Sequence, residues 1–291
     1  MNSDESEEEK VWLITGCSTG MGREFARTAL AAGYRVMTTA RNTATLDELI
    51  DEYPDTARAV ELDVTNQDQV DAAFKTTVEE FGRLDVLVNN AGYGYLSPIE
   101  EGDLSEVRAM FETNFFGLLA MTRAVIPYMR ERRSGQIIFN SSQAGLMSRP
   151  GTGYYSTTKY AVEALSEALV FELAPFGIKV TAIQPGPFRT DWSGRSMKSS
   201  ESTIGDYADS VHARMAFARD MHGEKPGDPL RAALAVVDLV RAENPPPQLL
   251  LGRIVLETYR DKLSSIQSML DEWESLTLSA DFPAVGPPDG V

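Results

Sequence analysis

Residues 11–22 read VWLITGCSTGMG, and this stretch decides the fold. Its first four residues are a short apolar run of the kind that forms a buried strand. The residues from Glu24 to Ala32 are amphipathic with a helical period, and Gly33 ends that pattern. Glycines between the two segments allow a tight turn, and the helix N-terminus offers N–H groups and the positive end of a dipole. The stretch therefore predicts a strand–turn–helix unit that can hold a pyrophosphate.

The glycines of this turn are spaced as Gly-x-x-x-Gly-x-Gly, at Gly16, Gly20 and Gly22. The common dinucleotide fingerprint is Gly-x-Gly-x-x-Gly, so the turn departs from it. Taken alone, the turn is also compatible with a glycine-rich connection that holds no ligand. The residues that would face a phosphate here are Gly16, Ser18, Thr19, Gly20 and Met21.

A second signal is the pair Tyr155 and Lys159, which lies where a helical pattern begins. Residues four positions apart share one face of a helix. The unperturbed tyrosine pKa is about 10, and a nearby cation favours the phenolate. We therefore expect Lys159 to lower the pKa of Tyr155, so that the phenol exchanges a proton with an alcohol or ketone near neutral pH. The neighbouring Tyr154 and Tyr160 have no lysine four residues further on, which excludes them as the acid.

Further motifs follow in order along the chain. They are Asp63-Val64, Asn89-Asn90-Ala91-Gly92, Asn114 in a long helical stretch, Ser142 thirteen residues before Tyr155, and Pro185-Gly186-Pro187-Phe188-Arg189-Thr190. With the glycine turn and the Tyr155–Lys159 pair, they resemble the short-chain dehydrogenase/reductase family from about Val11 to about Trp273. The phrasing of several motifs is similar to the 17β-hydroxysteroid-dehydrogenase-like and retinol-dehydrogenase-like subgroup.

The resemblance implies an active site made of Asn114, Ser142, Tyr155 and Lys159. Tyr155 would be the general acid or base, Ser142 would position the substrate oxygen, and Lys159 would also hold the nicotinamide ribose. Asn114 would support a proton path through water. It further implies cofactor contacts from the phosphate-facing turn residues, from Tyr155 and Lys159 themselves, and from Arg41, Asp63, Val64, Asn90, Ala91, Gly92, Pro185, Gly186, Phe188 and Thr190. Read singly, each catalytic residue also has a structural explanation, such as a strand-end cap for Ser142.

Strand and helix patterns alternate along the chain. Strands are predicted at 11–14, 35–40, 57–62, 86–88, 136–140, 179–183 and 248–251, and helices at 21–32, 45–53, 67–81, 104–130, 153–174, 229–242 and 253–273. Repeated βα units form a parallel sheet with helices on both faces. We predict an α/β fold, a single doubly wound Rossmann-type domain over residues 10–275 with a seven-stranded parallel sheet. An acidic disordered leader (1–9) and a loose C-terminal tail (276–291) would flank it.

The choice of cofactor is predicted from the end of the second strand. Ala40 stands where an acidic residue would bind a ribose 2′-hydroxyl, and Arg41 follows it. An arginine can pair with a 2′-phosphate, so the sequence favours NADP(H) over NAD(H). NADP(H) relatives often carry a basic residue before the second glycine, whereas this chain has Thr19. NAD(H), with Arg41 as a solvated surface residue, therefore stays open.

The predicted substrate pocket is apolar and aromatic. Its candidate residues are Tyr93, Tyr95, Met147, Tyr154, Phe188 and Trp192. Residues 193–228 lack a strand pattern, and by resemblance they form a mobile lid whose methionines adapt to apolar shapes. A surface helix packed on the core is the alternative. The substrate would be a bulky, apolar secondary alcohol or ketone, similar to a steroid, a retinoid or an aryl ketone.

Bulk properties exclude several other classes. The 291 residues include 43 acidic and 27 basic ones, and the net charge of −16 argues against nucleic acid or an anionic membrane as a partner. No apolar run is long enough for a membrane span, and no secretory signal is evident. A single cysteine, Cys17, fits a reducing compartment, so we expect a soluble cytoplasmic enzyme. His212 and His222 lack partners for a metal site.

Two other functions remain open, and so does the assembly. A non-catalytic NADP(H)-binding regulator would be favoured by an incomplete set of catalytic residues. A lyase or isomerase would be favoured by another glycine spacing or by an extra acid near Tyr155. By resemblance, a homodimer or homotetramer would form through residues 104–130 and 153–174.

Overall fold

The chain alternates strands and helices throughout the part that a computed structural model describes, residues 10–190, 195–220 and 225–282. The strands are β1 (Val11–Ile14), β2 (Arg35–Ala40), β3 (Ala57–Glu61), β4 (Val86–Asn89), β5 (Gly94–Leu96), β6 (Gly135–Asn140), β7 (Ile178–Pro185), β8 (Met197–Ser199) and β9 (Gln248–Leu251). The α-helices are α1 (Gly20–Ala31), α2 (Asp47–Glu52), α3 (Gln67–Phe81), α4 (Leu104–Phe111), α5 (Leu118–Arg132), α6 (Gly153–Leu173), α7 (Ala213–Asp220), α8 (Pro229–Arg241) and α9 (Arg253–Leu278).

Seven of these strands form one parallel sheet in the order β3-β2-β1-β4-β6-β7-β9. Successive side chains of β1 point to opposite faces. On one face Trp12 packs with Phe25 of α1 and Val236 of α8, and on the other Leu13 packs with Met121 of α5. Helices therefore cover both faces, which confirms the predicted doubly wound fold.

The order of the strands places a cleft at the carboxyl ends of β1 and β4, which are interior strands of the sheet. From β1 the chain builds outward through β2 to β3, and it then returns to add β4 on the other side of β1. Loops leaving β1 and β4 at their carboxyl ends therefore diverge to opposite faces. A crevice opens at such a switch point, and ligands of open α/β sheets bind there.

The predicted helix 104–130 is interrupted in the structure. Between α4 and α5, residues Glu112–Gly117 form a π-helical turn, a rare conformation that often occurs at functional sites. The sequence pattern could not reveal this turn because the apolar period continues through it. At the C-terminus, α9 runs to Leu278, so the predicted tail begins inside this helix.

The prediction that residues 193–228 lack a strand is wrong. Strand β8 pairs in parallel with β5 as a separate two-stranded sheet. Further on, Val211 and Met215 pack against Leu96 of β5. The segment is thus attached along β5, and α7 forms its helical part.

The described part of the chain begins at residue 10 and ends at residue 282. The predicted leader (1–9) and residues 283–291 lie outside the described residues. From residue 267 to residue 278, every residue of α9 is exposed to solvent. Among the described residues, none of the helices is both long enough and apolar enough to cross a membrane.

Candidate active site

A cleft with a volume of about 1370 Å³ lies at the carboxyl ends of the strands. Small-molecule sites typically measure about 300–1,000 Å³, so this cleft has room for a dinucleotide and a further molecule. It brings together most of the residues that the sequence selected. Its lining includes Gly16, Ser18, Thr19, Gly20, Met21, Arg41, Asp63, Val64, Asn90, Ala91, Gly92, Tyr93, Ser142, Met147, Tyr155, Lys159, Pro185, Gly186, Phe188 and Thr190.

The glycine turn between β1 and α1 is held in shape by Asn90. Its amide nitrogen donates to the carbonyl oxygens of Thr15 and Gly16, at 2.8 and 3.1 Å. Gly16 and Gly20 adopt positive φ angles, of 73° and 62°, which other residues rarely adopt. A Cβ atom on Gly22 would lie only 2.2 Å from the Asn90 amide nitrogen. Each glycine therefore has a steric or conformational reason to be there.

The start of α1 fits an anionic ligand. Thr19, the N-cap residue, makes no capping hydrogen bond through its side chain, and no acidic residue occupies the first turn. The positive end of the helix dipole is thus not compensated by the chain at this point. The turn also lines the cleft, so a pyrophosphate there would meet backbone N–H groups.

The far end of the cleft fits a ribose and a base. Arg41 is exposed at the end of β2 and lines the cleft, with Ala40 before it. Val64 forms another part of the wall and packs closely against Gly117 of the π-helical turn, where an added Cβ atom would lie 2.6 Å from the Cγ2 atom of Val64. Asp63 accepts hydrogen bonds from the backbone and hydroxyl of Thr65. These residues could hold an adenosine carrying a 2′-phosphate.

Tyr155 and Ser142 meet at the centre of the cleft. Tyr155 lies in the first turn of α6, and its hydroxyl is hydrogen-bonded to the Ser142 side chain. The Ser142 oxygen also accepts from the backbone N–H of Ala144 at 3.1 Å, which fixes its position after β6. Burial raises the pKa of Tyr155 to about 12, although the Ser142 hydrogen bond opposes the change.

The expectation that Lys159 lowers the pKa of Tyr155 is therefore wrong for this structure. The ammonium of Lys159 is directed elsewhere and donates to the carbonyl oxygen of Asn140 at 2.8 Å. Its nitrogen lies 5.9 Å from the centroid of the Tyr155 ring. Burial also lowers the pKa of Lys159 itself to about 8. Desolvation decides both values because the two side chains are buried, and the sequence could not show this.

Glu163 is a buried residue of the site that sequence reasoning missed. It lies one turn beyond Lys159 on α6, and its negative charge raises the Lys159 pKa against the effect of burial. Its carboxylate accepts from Gln184 at 3.0 Å and from Gln248 at 2.9 Å. Burial raises its own pKa in spite of these bonds. The spacing of four residues from Lys159 was the available signal.

Asn114 lies behind the cleft wall, within the π-helical turn. Its side chain accepts from the backbone N–H of Tyr93 at 3.0 Å and donates to the Tyr93 carbonyl at 2.8 Å. It also donates to the Thr158 hydroxyl at 3.2 Å, next to Lys159. Asn114 thus ties the loop after β4 to helix α6.

Two predicted substrate residues, Tyr95 and Tyr154, do not line the cleft. Tyr95 is buried beneath it and accepts a hydrogen bond from the backbone of Asp103. Tyr154 stacks near Tyr95, and its hydroxyl donates to the Ile99 carbonyl. Neither is among the described residues that line the cleft. Trp192 lies outside the described residues.

The family model described as short chain dehydrogenase matches residues 10–201 of the chain, which is more than half of its length. This protein is a member of the short-chain dehydrogenase family.

Relatives of this dehydrogenase agree with the assignment. It is 38% identical over 248 residues to the 3-ketodihydrosphingosine reductase of Bacteroides thetaiotaomicron, covering 84% of this chain and 89% of that protein. A crystal structure of a short-chain dehydrogenase from Streptomyces avermitilis superposes with a TM-score of 0.88 at 42% identity, over 94% of this chain and 99% of that one. ElxO, solved with NADP bound, gives a TM-score of 0.69 at 29% identity, over 83% and 96% of the two chains.

The dehydrogenase cleft is also lined by basic residues that sequence reasoning missed. They are Arg149, Arg195, Lys198, Arg214 and Lys225. Lys198 is paired with Glu106 at 2.6 Å. The predicted pocket was apolar, so these charges change its character. Four of the five lie between residues 195 and 225 and the fifth lies in the loop before α6, and their place in the cleft depends on contacts such as the β5–β8 pairing, which periodicity does not reveal.

Proposed function

We propose that this short-chain dehydrogenase transfers a hydride between NADP(H) and a secondary alcohol or ketone. The observation that carries the proposal is the Ser142–Tyr155 hydrogen bond beside buried Lys159, in a cleft large enough for a dinucleotide and a substrate. A hydroxyl group that holds a phenol in place beside a buried amine is the arrangement that carbonyl reduction needs.

The turn after β1 and the start of α1 would hold the pyrophosphate, and Asp63, Val64 and Arg41 would hold the adenosine. Residues Asn90 to Gly92 and the loop from Pro185 to Thr190 would enclose the nicotinamide end. When bound, the nicotinamide supplies or accepts the hydride.

The chain's own residues would handle the proton. Tyr155 would give its phenolic proton to the carbonyl oxygen during reduction and take a proton back during oxidation. Ser142, fixed by the Ala144 N–H, would hold that oxygen within reach of the phenol. Lys159 would pass protons to Tyr155, and Asn114 would keep Lys159 and the loop of Tyr93 in register through Thr158.

NADP(H) is favoured over NAD(H) by Arg41. Its guanidinium lines the cleft at the end of β2, where no acidic residue follows to repel a 2′-phosphate. The structural neighbour ElxO binds NADP. Arg41→Glu should therefore reverse the cofactor preference, and the kcat/KM ratio for NADPH over NADH measures that effect.

The substrate is proposed to have a bulky, apolar body. Tyr93, Met147 and Phe188 line the cleft near Tyr155, and Leu96 and Phe217 add apolar surface from β5 and α7. The similar protein from Bacteroides thetaiotaomicron is named a 3-ketodihydrosphingosine reductase. A cleft of this size and lining fits a ketone of comparable bulk.

We also propose that the enzyme works in the cytoplasm as a homodimer or homotetramer. The lone, buried thiol of Cys17 fits a reducing compartment. Helix α6 and the π-helical turn expose Phe171 and Phe116, with 74% and 49% of their surfaces accessible. Exposed aromatic residues on neighbouring helices are typical of subunit interfaces.

The decisive experiment is an initial-rate assay of NADPH consumption, repeated with NADH, against ketones from small to steroid-sized. Tyr155→Phe is the matched variant, because it removes one hydroxyl and keeps the ring. The proposal expects turnover of bulky ketones with NADPH and a loss of at least about 100-fold in the variant. Tight NADPH binding without turnover of any ketone would favour the non-catalytic regulator instead.

A further inference from the structure

Two arginines face the cleft where the lid meets helix α6. Arg149 lies in the loop before α6, and Arg214 lies on α7. The loop is in contact with α7, since a Cβ atom on Gly151 would lie 3.0 Å from the Cγ atom of Met215. The backbone of Arg149 is also bonded to the side chain of Thr152, at the start of the helix that carries Tyr155. The two guanidinium groups thus belong to the substrate side of the cleft.

The partly buried side chain of Arg214 includes a polar atom with no hydrogen-bond acceptor. Its Nε atom is buried and has no hydrogen-bond partner. Burial lowers the pKa of Arg214, and the like charge of Arg149 lowers it further. The ring of Phe217 covers the guanidinium, whose central carbon, Cζ of Arg214, lies 5.1 Å from the ring centroid. A buried donor without an acceptor is costly, so it calls for a ligand or another physical reason.

The described residues provide no carboxylate partner for either arginine. The acidic residues that line the described part of the cleft are Asp63 and Glu112. Asp63 lies at the end predicted for the base, and Glu112 begins the π-helical turn. Although the chain carries a net charge of −16, this corner of the cleft is locally positive and would attract an anion.

The cofactor does not account for this positive corner. Its phosphates would be met by the glycine turn, by α1 and by Arg41, and the loop before α6 and helix α7, which carry Arg149 and Arg214, are not among these. Arg149 and Arg214 instead adjoin Met147 and Phe217, the apolar residues proposed to contact the substrate. An anion bound between them would therefore be part of the substrate.

We propose that Arg149 and Arg214 bind a carboxylate at the far end of the substrate, so that the enzyme acts on apolar oxo acids or hydroxy acids. Two planar guanidinium groups match a carboxylate by bidentate hydrogen bonds. The proposal rests on the proposed ketone reduction and adds the substrate class to it.

The test compares oxo fatty acids with their methyl esters, which share the ketone and the chain but lack the charge. Wild-type enzyme, Arg149→Met, Arg214→Met and Arg214→Lys are assayed with NADPH. Arg260→Met is the control, because Arg260 is exposed on α9 and does not line the cleft. The readout is the ratio of kcat/KM for the acid to kcat/KM for the ester.

We expect the wild-type ratio to favour the acid by roughly 10- to 100-fold, mainly through KM. Each Met variant should lose most of that preference, Arg214→Lys should keep part of it, and Arg260→Met should keep all of it. Equal turnover of acid and ester by the wild type, or an unchanged ratio in the Met variants, would overturn the proposal.

Binding of decanoate to the enzyme–NADPH complex separates this proposal from the proposed function. If neither acid nor ester is reduced, the ketone-reductase proposal fails, but the subsite can still be measured by calorimetry. Decanoate should bind the wild type at least about 10-fold more tightly than Arg214→Met. Equal affinities, or no binding to the wild type, would refute the subsite itself.

Discussion

Replacing Gly22 with alanine should damage the phosphate-facing turn without touching any reacting group. The added Cβ atom would lie 2.2 Å from the Asn90 amide nitrogen and 2.3 Å from the Gly16 carbonyl oxygen. Real Cβ contacts are essentially never shorter than 3.0 Å, so a neighbour must move by most of an ångström. Asn90 is bonded to Thr15, Gly16 and Asn140, so its movement would disturb the turn and the ends of β1 and β6 together.

The magnitude follows from these contacts. Overpacking of this kind costs about 1–3 kcal/mol, and the two Asn90 bonds to the turn are worth about 1 kcal/mol each. We therefore expect a loss of roughly 3–5 kcal/mol in the free energy of unfolding, which is a large part of the usual 5–15 kcal/mol. NADPH affinity should fall by at least about 10-fold, because the backbone N–H groups of the turn would be displaced.

Thermal unfolding and NADPH fluorescence titration measure the two effects separately. Gly205→Ala is the steric control, since nothing lies within 4 Å of its added Cβ atom and its φ is not positive. Gly20→Ala isolates backbone strain, because its Cβ has space but its φ is 62°. We expect the order Gly205→Ala, Gly20→Ala, Gly22→Ala for increasing damage. A Gly22→Ala protein with wild-type Tm and wild-type NADPH affinity would refute the reasoning.

Three further predictions use other parts of the molecule. Glu163→Gln should lower the pKa of Lys159 further below about 8, because it removes the negative charge that raises that pKa. The alkaline limb of the kcat/KM–pH profile should therefore move to lower pH. Glu167→Gln is the control, since Glu167 is exposed on the same helix, and it should leave that limb in place. Burial raises the pKa of Cys17 to about 12, so Ellman's reagent should label it only after denaturation, and rapid labelling of the native protein would contradict this. Glu101 accepts hydrogen bonds from residues 202–204, and these bonds lower the pKa of Glu101 to about 2. Glu101→Gln should therefore speed hydrogen exchange in that segment, and unchanged exchange would count against its attachment to Glu101.

Short-range patterns explain why much of the fold could be predicted from the chain. The bounds of β1, β2, β9 and α3 agree with the apolar runs and helical periods that indicated them. Each of these elements is determined by neighbours within a few residues, since strand and helix periods are local properties. The positions of Ser142, Tyr155 and Lys159 in one cleft follow from the parallel order of the strands.

Features that depend on distant parts of the chain could not be predicted in the same way. Strand β8 is three residues long and polar at Lys198, and only its pairing with β5, about a hundred residues earlier, makes it a strand. Tyr95 and Tyr154 do not line the cleft, and their hydroxyls are instead hydrogen-bonded to the backbone of Asp103 and Ile99. No local pattern contains such partners.

Burial separates the pKa values of Tyr155 and Lys159 at the centre of the cleft. The pKa is about 12 for Tyr155 and about 8 for Lys159, so as the pH rises the amine loses its proton well before the phenol does. At neutral pH the phenol therefore holds its proton. A protonated phenol is ready to donate its proton to a carbonyl oxygen, but it must lose that proton before it can accept one from an alcohol. With Tyr155 in the proposed role of general acid, carbonyl reduction should proceed at neutral pH, and the rate of alcohol oxidation should rise as the solution becomes alkaline.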